Sequence, residues 1–184
     1  CETVHLGVLI DSEMLYLHKI DSQHALGMYS RVGRRAPLHC TAIGKVLLAW
    51  QHPARRDRIV AGMEFTRFRE ATIADATALL AELEHVREAG YAEDREEFDE
   101  HIRCIAAPIF DRAGQVVAGL SVSYPSFRDV AALRAAWVER LMAAGREVSE
   151  GLGCLRFPAV PGAATAPVTH DLQRTPITRT EDPA

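Results

Sequence analysis

The chain reads as an α+β domain: about six strands in antiparallel pairs, with helices packed on the sheet they form. Three observations predict this. Strand-like runs come in pairs joined by tight polar turns, 4–10 with 14–20 and 102–110 with 116–124. Segments with helical apolar spacing lie between and after those pairs, notably 73–89 and 130–152. The composition is that of a globular chain large enough to bury a core: 184 residues, 48% hydrophobic and 25% charged.

Taken in order, 4–10 is an apolar run, Asp11-Ser12-Glu13 a turn, and 14–20 a second strand. Its alternation sets Leu15, Leu17 and Lys19 on one face and Met14, Tyr16, His18 and Ile20 on the other. After a polar loop at 21–24, residues 26–32 read as a third strand, broken by Gly33-Arg34-Arg35. Residues 37–50 run from a loop into a helix. Thr41 suits the N-cap, and Val46, Leu47, Leu48 and Trp50 supply an apolar flank. His52-Pro53 opens a second helix through 60, stopped by Gly62. The helix at 73–89 carries a stripe of Leu79, Leu80, Leu83 and Val86, closed by Gly90 as its C′ residue. A short strand at 91–94 and an acidic loop at 95–100 follow. The pair 102–110 and 116–124, around Asp111-Arg112-Ala113-Gly114, is the best hairpin and the expected centre of the sheet. A long amphipathic helix at 130–152 is built on Val130, Leu133, Trp137, Val138, Leu141, Val148 and Leu152. Residues 158–184 turn to Pro, Ala, Thr and Gly without periodicity and are expected to be a disordered tail.

The formal net charge is −4 and the pI is near 6.1, which gives no basic footprint for nucleic acid. Cys1, Cys40, Cys104 and Cys154 are scattered, with no CxxC, as in a reduced, cytosolic compartment rather than a disulfide or zinc framework. No run approaches about 18 apolar residues, so no membrane helix is expected. The start lacks both a basic n-region and an initiating Met, which suggests a fragment whose upstream domain is missing.

Two features could carry chemistry. A helix start at Thr41 points unpaired N–H groups one way and carries partial positive charge, a site for a small anion such as a carboxylate. A capped, buried helix that binds nothing has the same pattern. The second feature is the strand 116–124. Its period of two puts Val117, Gly119, Ser121 and Ser123 on one face and Val116, Ala118, Leu120, Val122 and Tyr124 on the other. In the partner strand Ile102, Cys104 and Ala106 share a face. A buried face of glycine and hydroxyls leaves room for a ligand, or for tight helix-on-sheet packing.

Cys104 could act as a nucleophile with His101, His39 or Asp94 as base, but no catalytic signature surrounds it. His101 and Cys104, three apart on a strand, point to opposite faces, which argues against a shared metal. Gly44-Lys45 is not a phosphate loop, because His39 and Val46 stand where Gly and Ser or Thr are needed. No cofactor motif is present. Arg31, Arg34 and Arg35 form a basic cluster, read as a solvated loop or as partners of the acidic stretch 93–100, with one of them able to meet an anionic ligand. Glu96, Glu97, Asp99 and Glu100 of that stretch have no assigned role.

Residues 33–49, from Gly33-Arg34-Arg35 through His39-Cys40-Thr41-Ala42-Ile43-Gly44-Lys45 to Ala49, resemble the signature of the IclR family of bacterial transcription regulators. So do Gly90-Tyr91-Ala92-Glu93-Asp94 with 102–111, and Ala118-Gly119-Leu120-Ser121-Val122-Ser123. Three blocks in the right order and spacing cover roughly residues 3–155. Within the family, 18–22 and 28–35 are similar to the 2-keto-3-deoxygluconate regulon repressors.

The resemblance implies a GAF-like or profilin-like curved antiparallel sheet, with residues 1–157 as an effector-binding domain. It implies a small organic acid as ligand, a keto or sugar acid such as 2-keto-3-deoxygluconate or pyruvate. The ligand carboxylate would meet the backbone N–H groups of Ala42 and Ile43. Asp94, Cys104, Ser121 and Ser123 would contact its polar end, and Met28, Leu38 and Ile102 would form apolar walls. DNA would be read only by a winged helix-turn-helix N-terminal to this chain, and the whole protein would be a homodimer or homotetramer. Several relatives carry small residues where this chain has Ala42-Ile43, so the bulk of Ile43 bears on ligand size. Two rival readings are a small enzyme acting on keto acids through Cys104 and a ligand-free oligomerisation domain.

Overall fold

The computed structural model describes residues 2–24 and 30–157. Strands β1 (Thr3–Ile10) and β2 (Glu13–Ile20) form the first hairpin, turned at Asp11, whose φ of 56° suits a tight hairpin turn. β3 is Arg35–Ala36. Then come α1 (Ala42–Ala49), α2 (Pro53–Ala61), α3 (Ala76–Ala89) and β4 (Ala92–Arg95). β5 (Ile102–Phe110), β6 (Val116–Pro125), a short 3-10 turn at Ser126–Arg128 and α4 (Ala131–Gly151) complete the described residues.

The strands form one antiparallel sheet in the order β3-β2-β1-β6-β5-β4, the α+β architecture the sequence predicts. Its middle pair is β1 and β6, not the β5–β6 hairpin. Hairpin signals are local, and the β1–β6 pairing joins residues more than 100 apart in the chain.

Four other expectations are corrected. The third strand does not run through residues 30–32, and 25–29 lie outside the described residues. Pairing with β2 begins only after Gly33 (φ 82°) has turned the chain. The alternation of β2 breaks at Leu17, where a bulge lets Gly7 pair with Tyr16 and Leu6 with His18. Lys19 therefore sits opposite His5 and shares the face of Met14 and Tyr16. A second bulge at Val117 sets Val116 opposite Phe110, so Val116 joins the core beside Phe110 and Val117 is exposed. Lastly, Val130, Leu133, Val148 and Leu152 of the long helix are exposed, and its buried line is Leu141, Gly145 and Ser149. A Cβ on Gly145 would lie 2.9 Å from the Pro108 carbonyl oxygen, so glycine lets α4 approach β5 closely. Ser149 Oγ then accepts from Phe110 N–H at 2.9 Å and donates to the Gly145 carbonyl at 2.6 Å.

Two cores result. α1 covers one face of the sheet, with α3 packed on α1 and Ile59 and Val60 of α2 joining the same core; Val46, Leu47, Leu48, Leu79 and Leu83 of the helices and Met14 of β2 are fully buried there. On the other face Leu141 of α4 packs with Ile105, Ala107, Val122 and Tyr124. The helix ends at Thr41, His52 and Gly90 follow the sequence reading, whereas α3 begins at Ala76 rather than at 73, because Asp75 Oδ1 accepts from Ala78 N–H at 2.9 Å. Thr41, His52 and Asp75 cap α1, α2 and α3, and Gly90 (φ 83°) closes α3. Residues 158–184, expected to be a tail, lie outside the described residues.

Candidate functional site

The floor of the site is a grid of small and polar side chains. Register sets Thr3, Ser123, Cys104 and Asp94 directly opposite one another on β1, β6, β5 and β4. Two residues along, His5, Ser121, Ala106 and Ala92 form the next row, and Gly7, Gly119 and Pro108 the one after. Directly paired residues share a face, so all of these look toward α1. At about 4.8 Å between strands, a four-strand row spans roughly 14 Å.

The start of α1 stands on the glycine row. A Cβ on Gly119 would lie 2.9 Å from Ile43 Cγ2, and one on Gly7 would lie 3.1 Å from the same atom. The bulk of Ile43 is therefore seated in the sheet over two glycines. Thr41 Oγ1 accepts from Gly44 N–H at 3.2 Å and donates to the Pro37 carbonyl at 2.6 Å. Lys45 N–H bonds the Thr41 carbonyl at 3.0 Å. The amides of Ala42 and Ile43 are left without a partner among the described residues, as the first turn of a helix dictates.

Between this helix start and the grid lies a cavity of about 470 Å³. Ala42, Ile43, Asp94, Ile102, Cys104, Ser121 and Ser123 all line it. Leu38 does not: it is buried in the core, with its backbone against Gly44. Met28 lies outside the described residues. Thr3, His5, Met14 and Tyr16 also line the cavity, and none of them was singled out by sequence reasoning. A signal was present, because Thr3, His5 and Gly7 alternate with apolar Val4, Leu6 and Val8, the same small-and-polar pattern as Gly119, Ser121 and Ser123.

Burial governs the titrating groups here. Asp94 is 3% exposed, and desolvation lifts its carboxyl to about 7. The hydrogen bond it accepts from Glu97 N–H at 2.8 Å and the nearby Lys45 charge oppose that rise. Burial, then Asp94, pushes the Cys104 thiol well up, while Ser123 Oγ donates to its sulfur at 3.0 Å. A nucleophilic cysteine needs the reverse shift, so the surroundings of Cys104 do not favour the enzyme reading. His5 falls to about 4 through burial and the Lys19 charge, with Asp21 opposing.

Under the site lies a buried charge cluster. Lys45 is fully buried, with Nζ 2.7 Å from Glu97 Oε1 and 3.0 Å from Glu82 Oε1. Thr72 Oγ1 donates to the Glu97 carbonyl at 2.6 Å. Glu97, without a role in the sequence reading, thus ties the loop after β4 to α1. The basic cluster does not reach the acidic stretch. Arg35 pairs instead with Glu13 at 2.9 Å and Asp11 at 3.8 Å, and Arg31 and Arg34 are exposed. None of the three lines the cavity, whose arginine is Arg69. Among the described residues no group of three His, Cys, Asp or Glu side chains could hold a metal ion.

Residues 1–150 match the family model described as the C-terminal domain of the bacterial transcriptional regulator IclR. The HTH-type transcriptional regulator KdgR of Escherichia coli K12 is 49% identical over 157 residues, 85% of this chain and 60% of KdgR. The crystal structure of the C-terminal domain of E. coli KdgR has 47% identity and a TM-score of 0.76, covering 83% of this chain and 88% of that one. An IclR homologue from Microbacterium hydrocarbonoxydans, solved in complex with 4-hydroxybenzoate, has 29% identity and a TM-score of 0.73 over 82% of this chain and 60% of its own. The chain thus spans about 60% of the length of the KdgR relative it matches. No helix among the described residues is long and apolar enough to cross a membrane. On the family model and the identity to KdgR, the chain belongs to the IclR family of bacterial transcriptional regulators, as its C-terminal domain.

Proposed function

We propose that this domain senses a small organic acid and so controls DNA binding by a domain N-terminal to it in the whole protein. One observation carries the reading: Ala42 and Ile43 at the start of α1, whose amides have no partner among the described residues, line a cavity that Ser121, Ser123, Cys104 and Asp94 also line. The helix start suits a carboxylate. The hydroxyls, thiol and carboxyl suit keto and hydroxyl oxygens. Ile102 supplies an apolar wall, and Met28 adds to the apolar side by family resemblance. The homologue bound to 4-hydroxybenzoate, itself an organic acid, supports the ligand class. The resemblance of residues 18–22 and 28–35 to the 2-keto-3-deoxygluconate regulon repressors favours a keto or sugar acid such as 2-keto-3-deoxygluconate or pyruvate.

The mechanism is a population shift, in which the effector binds one arrangement of the subunits more tightly than the other. The whole protein is a homodimer or homotetramer, and exposed Leu133, Val148 and Leu152 on α4 offer apolar surface for association.

A thermal-shift titration with 2-keto-3-deoxygluconate, pyruvate and glyoxylate tests the reading. An acid at about 100 times its Kd stabilises the fold by about 2.7 kcal/mol. No stabilisation by any small acid sinks the sensor. A shift unchanged in the Ser121→Ala, Ser123→Ala double variant sinks the site.

A further inference from the structure

The carboxylate-binding end of the cavity accounts for only part of its lining. One row further along the sheet, about 7 Å from the glycines under Ile43, stands His5. Its side chain is 2% exposed, yet it lines the cavity. Its Nε2 is 2.7 Å from Ser30 Oγ, and the Tyr16 ring packs on it at 4.9 Å between centroids. Its Nδ1 is 3.4 Å from Ser123 Oγ, longer than a good hydrogen bond. Ser123 already donates its one proton to Cys104 at 3.0 Å.

We propose that His5, oriented by Ser30 and Tyr16, is a specificity-determining residue whose Nδ1 hydrogen-bonds a hydroxyl several bonds from the effector carboxylate. The site is thereby tuned to hydroxylated acids over short, unsubstituted ones. This rests on the sensor reading above.

The arrangement supports it in three ways. Both ring nitrogens face hydroxyl groups, so the imidazole is held in plane without a charged partner of its own. With Ser30 O–H donating to Nε2, the ring carries its proton on Nδ1, directed at Ser123 and the cavity. The long Nδ1–Oγ separation leaves that donor only weakly engaged, which is where a ligand hydroxyl gains most. A neutral imidazole also matches a hydroxyl, whereas an imidazolium would select a second anion. Burial and the Lys19 charge hold His5 neutral at physiological pH. A core histidine of purely structural use would touch packed side chains on all sides, and His5 instead borders a cavity of about 470 Å³.

The experiment compares two acids with the same keto-acid head: 2-keto-3-deoxygluconate, which carries hydroxyls on its distal carbons, and pyruvate, which carries none. Isothermal titration on the wild type and His5→Leu is expected to show at least a tenfold loss for 2-keto-3-deoxygluconate, with pyruvate changed less than twofold. Equal loss for both acids, or no loss for either, overturns the role of His5 while leaving the sensor standing. Binding of neither acid to the wild type overturns the sensor reading and this inference with it. If His5→Leu does not fold, nitrogen NMR of the wild type decides. The His5 Nδ1 resonance is expected to shift with 2-keto-3-deoxygluconate and not with pyruvate, and an unmoved resonance in the saturated protein overturns the proposal.

Discussion

Ile43 Cγ2 occupies the space that a Cβ on Gly119 would need, 2.9 Å away. Helix and sheet therefore meet through a side chain on one partner and its absence on the other, and that contact sets the height of the α1 amides above the grid. Gly119→Ala should cost about 1–3 kcal/mol through overpacking. Adding Ile43→Ala should lose less than the sum of the two single changes, because the clash is gone. Urea melts of the four proteins in this cycle measure the coupling. Strict additivity would mean that the two residues do not share the space.

Lys45 is fully buried against Glu97 and Glu82. Lys45→Met leaves Glu97 carrying an uncompensated buried charge and should destabilise by about 3–5 kcal/mol. Glu97→Gln in the same chain should restore part of that, since the stranded charge is then removed. Chemical denaturation reads both. A Lys45→Met protein as stable as wild type would show that the cluster contributes nothing.

Ser149 supplies the acceptor for Phe110 N–H at 2.9 Å in the closest approach of α4 to β5. Ser149→Ala leaves that buried amide unpaired, at a cost of about 1–3 kcal/mol. Ser149→Gly should cost at least as much, because it also loosens the helix. Equal stability of the alanine variant would mean that another acceptor replaces the hydroxyl.

Asp94 and His5 pull the pH dependence of stability in opposite directions. Folded Asp94 keeps its proton to about 7, against an ordinary 3.8. Between those values the unfolded chain has released a proton that the folded chain holds, so Asp94 lowers stability as pH rises through that window. Folded His5 stays neutral down to about 4, against an ordinary 6.5. There the unfolded chain holds the extra proton, so His5 raises stability with pH. Thermal melts from pH 4 to 7 should be nearly flat for the wild type. They should rise with pH in Asp94→Asn and fall with pH in His5→Leu. Identical slopes in all three would contradict the assignment.

The same carboxyl bears on ligand affinity. Ionised Asp94 repels an acid placed beside it, and protonated Asp94 does not. Affinity for pyruvate should therefore strengthen as pH falls through about 7 in the wild type and stay level in Asp94→Asn. Titration calorimetry at pH 6 and 8 checks this, and equal pH slopes in the two proteins would rule Asp94 out as the cause.

Much of the molecule was legible one segment at a time. Thr41 and Gly90 mark their helix ends because capping is a local hydrogen-bond problem. The hydroxyl face of β6 and the helix start at Ala42 could be read from period and cap alone. Met28, Leu38 and Ile102 came from resemblance to a family; Met28 lies outside the described residues, Ile102 borders the cavity and Leu38 is buried in the core.

What the sequence by itself determined is the class of fold, the order of its elements and the chemistry of each face. What only the tertiary structure decided is who faces whom. Bulges at Leu17 and Val117 shift the side-chain period by one residue, and a strand pattern carries no mark of where its partner makes that slip. The β1–β6 pairing brings His5 beside Ser121 and Ser123 across more than 100 residues, which no local rule foresees. The buried ion pair of Lys45 and Glu97 is likewise a product of packing, because two charges far apart in the chain become partners only when the fold removes water from both.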